Sequence, residues 1–396
     1  MAQFTGPRSL YTQTADTYIN ANRQTRDVRG AINLLDAKNA ALLTLLRRMR
    51  SQVTTNPKFE WQEDTFPTQS STVSADDASS AATTVYITDY AYIRKGDLWM
   101  NVDNNEVIWV DTTPTSTAIS CVRGVGGTSP ADWDSGDEVF YIGNGQPTGA
   151  RARDQITTIV TQPYNYTQIF EEPVEITGTA AATDLYGGPD RPYQRRKHGD
   201  LHMRDIERGL WWGERARMDG SDSANITYAT YTTRGVFRWI DSTNEHTNTT
   251  TLTEDEFNGY LRTDFRYGNS VKFMFCSPLA LEVISSWGRD KLQLVPRDKT
   301  YGLHITRYIS PHGELNLLNN KLFQDFNVTD GTNYGASSVI LDLEDLKYRF
   351  LKGRDTSLKI GIQENDEDTF EDMWFTDCGL HFEQPLHHAA IYDWSL

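Results

Sequence analysis

The sequence predicts an α+β protein interrupted by a small β-domain, a barrel or sandwich. Three observations carry this expectation. Helix-type and strand-type periodicities alternate from about residue 225 onward, and short strand signals separated by turn residues fill 71–149. Aromatic residues make up 11% of a chain rich in Thr, Asn and Asp, a composition that favours strands joined by polar turns. At 396 residues the chain exceeds the size at which one core usually stops growing, so two or three domains are expected.

Residues 1–30 are polar and aperiodic and read as an extended arm carrying Arg8, Arg23, Arg26 and Arg29. From Ala31 to Arg50, Ile32, Leu35, Leu42, Leu46 and Met49 recur at helical spacing, widened by Leu34, Leu43 and Leu45. Arg47, Arg48 and Arg50 complement the dipole in the last turn. Phe59 and Trp61 alternate with Glu60 and Gln62, so 58–66 reads as a half-exposed strand, followed by a polar linker, "PTQSSTVSADDASSAAT".

Strands are then expected at Val85–Thr88, Leu98–Val102, Val107–Asp111, Ala118–Arg123 and Glu138–Ile142, with a hairpin turn at Asp103–Asn105. Further strands follow to about residue 176, broken at Pro163 and Pro173. The next segment, "RPYQRRKHGDLHMRDIERGLWWGERARMDG", predicts a long basic helix. Met203, Ile206, Leu210 and Gly213 mark one face, Pro192 suits its first turn, and Asp219-Gly220 its stop. Gly199 and Gly213 each cost a helix about 1 kcal/mol relative to Ala, so a neighbour must press closely against it.

Thr253–Glu256 forms a capping box ahead of Phe257, Tyr260, Leu261 and Phe265, and Ser277-Pro278 opens another helix ending at Trp287-Gly288. Strands are expected at Val271–Cys276, Leu303–Tyr308, Leu315–Asn319, Ser338–Leu343, Leu358–Ile362 and Trp374–Glu383.

Three scattered cysteines, Cys121, Cys276 and Cys378, build neither a disulfide framework nor a CxxC site and fit a reducing compartment. The start at Met1 lacks an apolar signal region and is expected to have lost no leading prodomain. No apolar run approaches the roughly 18 residues that span a bilayer, so no membrane is expected. The net charge of −16 opposes generic nucleic-acid binding, leaving local clusters such as the ten cationic or potentially cationic groups from Arg191 to Arg217. These could meet phosphate or carboxylate partners, or pair along the helix, as Arg204 and Arg208 could with Asp200.

No enzyme template fits. "RGVGGTSP" lacks the Lys-Ser/Thr of a phosphate loop, "NVDNNE" lacks the glycine and bidentate glutamate of a calcium loop, and no GxSxG or HExxH occurs. The C-terminal stretch "DCGLHFEQPLHHAAIYDW" is rich in metal-ligand types. In a strand, however, Cys378 faces away from His381 and Glu383, and Pro385 breaks the strand before His387 and His388. Neither a metal nor a cofactor is expected. An alternative class, a β-rich tail, fibre or carbohydrate-binding module, would use Trp99, Trp109 and Trp133 as stacking aromatics.

The long helix closes with "IERGLWWGERA". After it come "TTRGVFRWIDST" (232–243), "LTEDEFNGYLRTDFRYGNSVKFMFCSPLALEVISSW" (252–287), "YISPHGELNLLNNKLF" (308–323) and "VILDLEDLKYRFLKG" (339–353). In this order and spacing they resemble tailed-bacteriophage major capsid proteins of the Hong Kong 97 fold, most closely the SU-ten-like branch. The resemblance covers roughly 190–394; the N-terminal half matches by arrangement, and the inserted β-domain departs from it.

The resemblance implies an N-arm at 1–30, then the N-terminal helix and first side of an extended loop at 31–70, with the inserted β-domain at 71–149. The second side of the loop and the peripheral domain with its spine helix would be 150–224, the axial domain 225–370, and the return to the peripheral domain 371–396. It further implies a non-enzymatic shell protein of the virion, assembled in the bacterial cytoplasm as hexamers and pentamers around double-stranded DNA. Scaffold, portal and decoration proteins are its implied partners. Lys58 lies where some relatives form an isopeptide bond. Candidate intersubunit or DNA-facing contacts are Lys58, Glu60, Trp61, Glu63, Arg195, Arg196, Arg204, Glu207, His381 and His387.

Overall fold

A computed structural model describes residues 40–77, 79–183, 189–223, 226–248, 251–287, 292–293, 305–326 and 333–395. The expected N-arm lies outside these residues, as does the first part of the expected helix. That helix is seen as α1, Ala41–Met49, with Leu42, Leu43 and Leu46 buried and Arg47 and Arg48 in its last turn. Met49, expected on the apolar face, is instead 54% exposed, because the helix ends there and the chain turns into β1, Ser51–Thr54. The strand expected at 58–66 starts where expected but is shorter, as β2, Lys58–Glu60. Its alternation holds: Phe59 and Trp61 are buried, whereas Phe66 is exposed.

The chain divides into two compact units, Trp61–Pro163 and the remainder. The first is a closed barrel built from β3 (Ser70–Ala75), β4 (Thr84–Ile87), β5 (Asp97–Asn101), β6 (Val107–Val110), β7 (Ala118–Val122) and β8 (Glu138–Asn144). Its order around the barrel is β3-β4-β7-β6-β5-β8. Closure removes the unpaired edges that a short-stranded sandwich would leave. The stretch expected to be a polar linker supplies β3. Its two buried positions, Ser71 and Val73, alternate with polar residues, a pattern too weak in apolar character to read as a strand. Inward-facing Val73, Val85, Ile87, Trp99, Ile108, Val110, Ile119, Trp133 and Val139 fill the interior. Asn105, in the predicted hairpin turn, adopts φ 58°, a left-handed backbone that Asn tolerates.

The second unit resumes with β9 (Tyr164–Tyr166), which pairs antiparallel with β2, and β10 (Gln168–Thr177). Pro173 does not break β10 as expected; it sits within the ladder opposite Met373. β10 ends the strand path of its sheet, so the missing N–H faces no neighbour there. After a short α2 (Gly178–Ala182) comes the long helix α3, Asp190–Trp212. It stops at Gly213 rather than at Asp219-Gly220, and β11 (Ala216–Met218) pairs with β12 (Thr230–Thr232).

The expected close neighbour of α3 is the sheet at Gly199, whereas at Gly213 it is backbone of α3 itself and of the segment after β12. A Cβ on Gly199 would sit 3.2 Å from the Trp374 ring, and one on Gly213 would sit 2.4 Å from the carbonyl oxygens of Gly209 and Thr233. Because the Gly213 obstacles are backbone atoms, Gly213→Ala is expected to destabilise the protein by about 1–3 kcal/mol, measured by urea unfolding.

Beyond α4 (Val236–Trp239) and β13 (Glu245–Thr247), α5 (Glu254–Asp264) begins at the predicted capping box. Thr253 accepts from the Glu256 N–H, and Glu256 accepts from the Thr253 N–H. Next come β14 (Val271–Cys276), α6 (Pro278–Ser286), β15 (Leu292–Gln293), β16 (Ile305–Ile309), β17 (Glu314–Asn319) and β18 (Ser338–Leu341). The chain ends with β19 (Leu346–Leu351), β20 (Ser357–Ile360), β21 (Thr369–Phe382) and β22 (Ala389–Tyr392).

A five-stranded sheet runs β1-β19-β21-β10, with β20 also on β21, and α3 lies against β10 and β21. A seven-stranded mixed sheet runs β13-β22-β18-β14-β17-β16-β15. Phe257, Leu261, Val283 and Ile284, from α5 and α6, pack in one core with Met274, Leu315, Ile340 and Ile391 of that sheet. β19 and β22 were not expected. β22 reads "AAIY" with every residue buried, so it carries no alternation to find.

Candidate functional site

The candidate residues fall into three neighbourhoods and a remainder. The first is where α1 meets α3. Ala40 provides no side-chain cap for α1; Glu207, on α3, takes that role across 165 positions. Its Oε1 accepts from the Leu42 N–H at 3.0 Å and from Trp211 Nε1–H at 2.9 Å, and its Oε2 accepts from the Leu43 N–H at 2.7 Å. Glu207 is fully buried, so the expectation that it meets a neighbour or DNA is corrected: it is an internal cap at a helix N-terminus. Burial pushes its carboxyl up to about 7, against the pull of its three donors.

The second neighbourhood joins α3 to β21. Both oxygens of the buried Asp372 meet Arg191, at 2.8 and 2.9 Å, and Arg195 Nε lies 2.7 Å away. Hydrogen bonding from Arg191 holds the Asp372 carboxyl well below the usual range. Arg208 pairs with Asp205 and Asp325, and His198 with Glu172. The basic helix is thus matched mainly by carboxylates of the sheet and loops; none of these pairs uses the expected Asp200. Arg196 is exposed, and Arg204 is half-buried.

Asp372→Asn is expected to cost about 2 kcal/mol at neutral pH. A depressed carboxyl pKa gives stability that is present above about 4 and lost on acidification. The variant should therefore lose less stability than the parent below pH 4, as urea titrations would show.

The third neighbourhood is the C-terminal histidine stretch. The alternation expected of β21 holds: Cys378 is buried on one face while His381 and Glu383 meet on the other, with Nε2 to Oε1 at 2.5 Å. Arg349 donates to His381 Nδ1 at 3.1 and 3.2 Å, which demands the Nε2–H tautomer, and Lys347 pairs with Glu383. Burial pushes His381 down to about 4 and His388 down to about 3, so both imidazoles are neutral at pH 7. His381 stacks near Phe59 and is 1% exposed, so it supports its own sheet rather than presenting to a neighbour.

His387 Nδ1 lies 2.7 Å from Asp345, and donor atoms of Asp342, Asp345 and His387 fall within 4.8 Å of one another. Among the described residues, this trio is the set that could hold a cation. Asp342, however, already accepts from the N–H groups of Asn269 and Glu344 and from the Asn269 amide, and the Lys272 ammonium lies 2.8 Å from the His387 carbonyl. All three cysteines are free and buried.

Of the remaining candidates, Lys58 and Glu60 are exposed and pair with each other, and Trp61 Nε1–H donates to Glu63 at 2.7 Å. Trp99 and Trp133 are 2% and 0% exposed, in the barrel interior, which removes them as sugar-stacking platforms.

A long helix laid across a sheet, a β2–β9 ladder between whose strands the barrel is inserted in sequence, and a mixed sheet backed by two helices are the parts of a Hong Kong 97-like phage capsid fold. The family described as SU10 major capsid protein matches residues 10–395, and the chain belongs to that family. Its function follows: it is a major capsid protein of the icosahedral head of a tailed bacteriophage. The match spans the N-terminal half and the barrel as well, where the sequence resembled the family only by arrangement.

The capsid of an empty GTA particle shares the fold at TM-score 0.50 and 7% identity, over 97% of this chain and 100% of that one. Cyanophage A-1(L) capsid aligns at TM-score 0.49 and 10% identity, over 93% and 97% of the two chains. Mycobacterium phage Bobi aligns at 0.46 and 8%, over 95% and 97%. Among curated proteins no sequence matches.

Proposed function

We propose that copies of this chain pack as hexamers and pentamers into a closed shell around packaged double-stranded DNA, assembling in the cytoplasm of a bacterial host. The family match over residues 10–395 supports this reading. The chain works by assembly, without turnover and without a cofactor. Each copy contributes many modest contacts repeated by symmetry, so function is spread over surface rather than held in one pocket.

In this reading the β2–β9 ladder is the stem of an extended loop, and α3 is the spine of a peripheral domain. Residues 225–370 form an axial domain at the centre of each capsomer. The exposed Lys58, Glu60 and Arg196 are contacts to neighbours or DNA, and the barrel is where neighbours or a decoration protein attach. Scaffold and portal proteins complete the assembly. Electron microscopy of the expressed chain is expected to show uniform shells or capsomers, with nuclease-protected DNA in particles from infected cells. Persistent monomers at high concentration would overturn the reading.

A further inference from the structure

We propose that a basic, tyrosine-lined groove beside β2 and β12 receives the acidic β20–β21 loop of a second copy of this chain. The inference deepens the shell reading and rests on it. The groove, of about 460 Å³, is lined by Lys58, Arg217, Tyr166 and Tyr231 together with Glu60, whose carboxylate pairs with Lys58. Tyr166 and Tyr231 meet with ring centres 5.1 Å apart and form an amphipathic wall. Beside it, Arg215 stacks on Tyr164 at 3.9 Å and Arg234 on Trp239 at 4.6 Å. Among the described residues neither arginine has a carboxylate in salt-bridge contact; they hydrogen-bond the carbonyls of Tyr164 and Arg238.

The ion pairs that the groove cations do make, Lys58 with Glu60 and Arg217 with Asp219, are exposed on both sides. Pairs of that kind contribute little and exchange readily for a better carboxylate.

The complementary surface lies on the same unit. Between β20 and β21, Glu364, Asp366, Glu367 and Asp368 are all exposed, next to the exposed apolar side chains of Ile360, Ile362 and Phe370. Acid flanked by apolar groups matches cations flanked by tyrosine rings. The two surfaces cannot meet within one chain. The loop adjoins the Thr177–Thr369 end of the β10–β21 ladder, while Tyr166 lies just beyond its Gln168–Cys378 end. Ten residues of strand, about 30 Å, separate them. Opposite charges at opposite ends of one sheet join copies head to tail, the geometry that closes rings. DNA fits the groove less well, because Glu60, Glu214 and Asp219 interrupt the cations that phosphate neutralisation needs.

The test uses the full chain and three variants: loop-reversed (Glu364→Lys, Asp366→Lys, Glu367→Lys), groove-reversed (Lys58→Glu, Arg217→Glu), and both sets combined. All five side chains are exposed, and thermal unfolding checks that each variant folds. Shell formation, followed by light scattering and microscopy, is expected to fall at least about tenfold in each single set, because like charges then face each other. It is expected to recover to within about threefold of the parent in the combined variant.

Parent-like assembly of either single set, or no recovery by a folded combined variant, overturns the contact. So does a groove reversal that weakens binding of a short DNA duplex at low salt but leaves assembly intact, since the groove would then be a nucleic-acid surface. A parent chain that forms no shells would fail the capsid reading itself, a distinct result.

Discussion

Glu207→Ala is expected to lower the unfolding free energy by about 4 kcal/mol, because it orphans three buried donors at once. These are the N–H groups of Leu42 and Leu43, and Trp211 Nε1. The loss should be visible as a lower urea midpoint and as faster amide exchange at Leu42 and Leu43, the first turn of α1. Glu207→Gln keeps one acceptor oxygen and should cost about half as much.

The same carboxyl sets a pH signature. Its folded pKa, about 7, lies above the ordinary glutamate value, so the folded chain binds the proton more tightly than the unfolded one. Its contribution is present at low pH and is lost as pH rises from about 4.5 through 7, by about 3 kcal/mol in total. His381 and His388 slope the other way. Their depressed pKa values give stability that is present above about 6.5 and lost on acidification. The two effects oppose each other between pH 4.5 and 6.5. The signature therefore lies in the difference between parent and Glu207→Gln, which should shift against the parent as pH rises. A difference flat across this window would show that Glu207 stays charged throughout.

The sequence made legible those parts of the fold in which local chemistry and tertiary role agree. The capping box at Thr253 and the strand Val271–Cys276 are seen at the expected positions because each is specified by its own residues. β3 and β22 were hidden for opposite reasons: one is too polar to show an apolar period, and the other is buried on both faces.

The candidate contacts were legible as residue types but not as environments. Glu207 sits in a run of charged residues and looks solvated, yet the chain folds it onto a helix end 165 positions away. His381 looked like a surface or ligand histidine because the partners that neutralise it, Arg349 and Phe59, come from distant strands. One signal did point inward: Ile206, Leu210 and the adjacent Trp211 mark the buried face of α3, and Glu207 falls within that stripe.

Arg123→Met is expected to destabilise the barrel unit by about 3–5 kcal/mol, read from urea unfolding and from amide exchange at Ile87, Val110 and Cys121. Arg123 is the cation of a buried cluster. Its Nε and Nη2 grip both oxygens of Glu106 at 2.7 Å, and Nη1 donates to Asp77 at 2.8 Å and to the Ala82 carbonyl. Both carboxylates are 1% exposed or less, so removing the guanidinium strands two charges in the barrel wall.

Asp77 should suffer more, since its other oxygen has no hydrogen-bond partner, whereas Glu106 keeps Trp133 Nε1–H and the N–H groups of Gly124 and Ala131. Adding Asp77→Asn to Arg123→Met should therefore recover about 1–2 kcal/mol by discharging the stranded group. An all-apolar replacement that also removes Glu106 should recover nothing, because Trp133 and two backbone donors would lose their acceptor. Arg123→Lys should fail as well, since an ammonium cannot bridge both Glu106 oxygens and reach Asp77. An Arg123→Met variant within about 1 kcal/mol of the parent would mean that water or a shifted carboxylate satisfies the cluster, and the barrel would then owe its stability to its apolar interior alone.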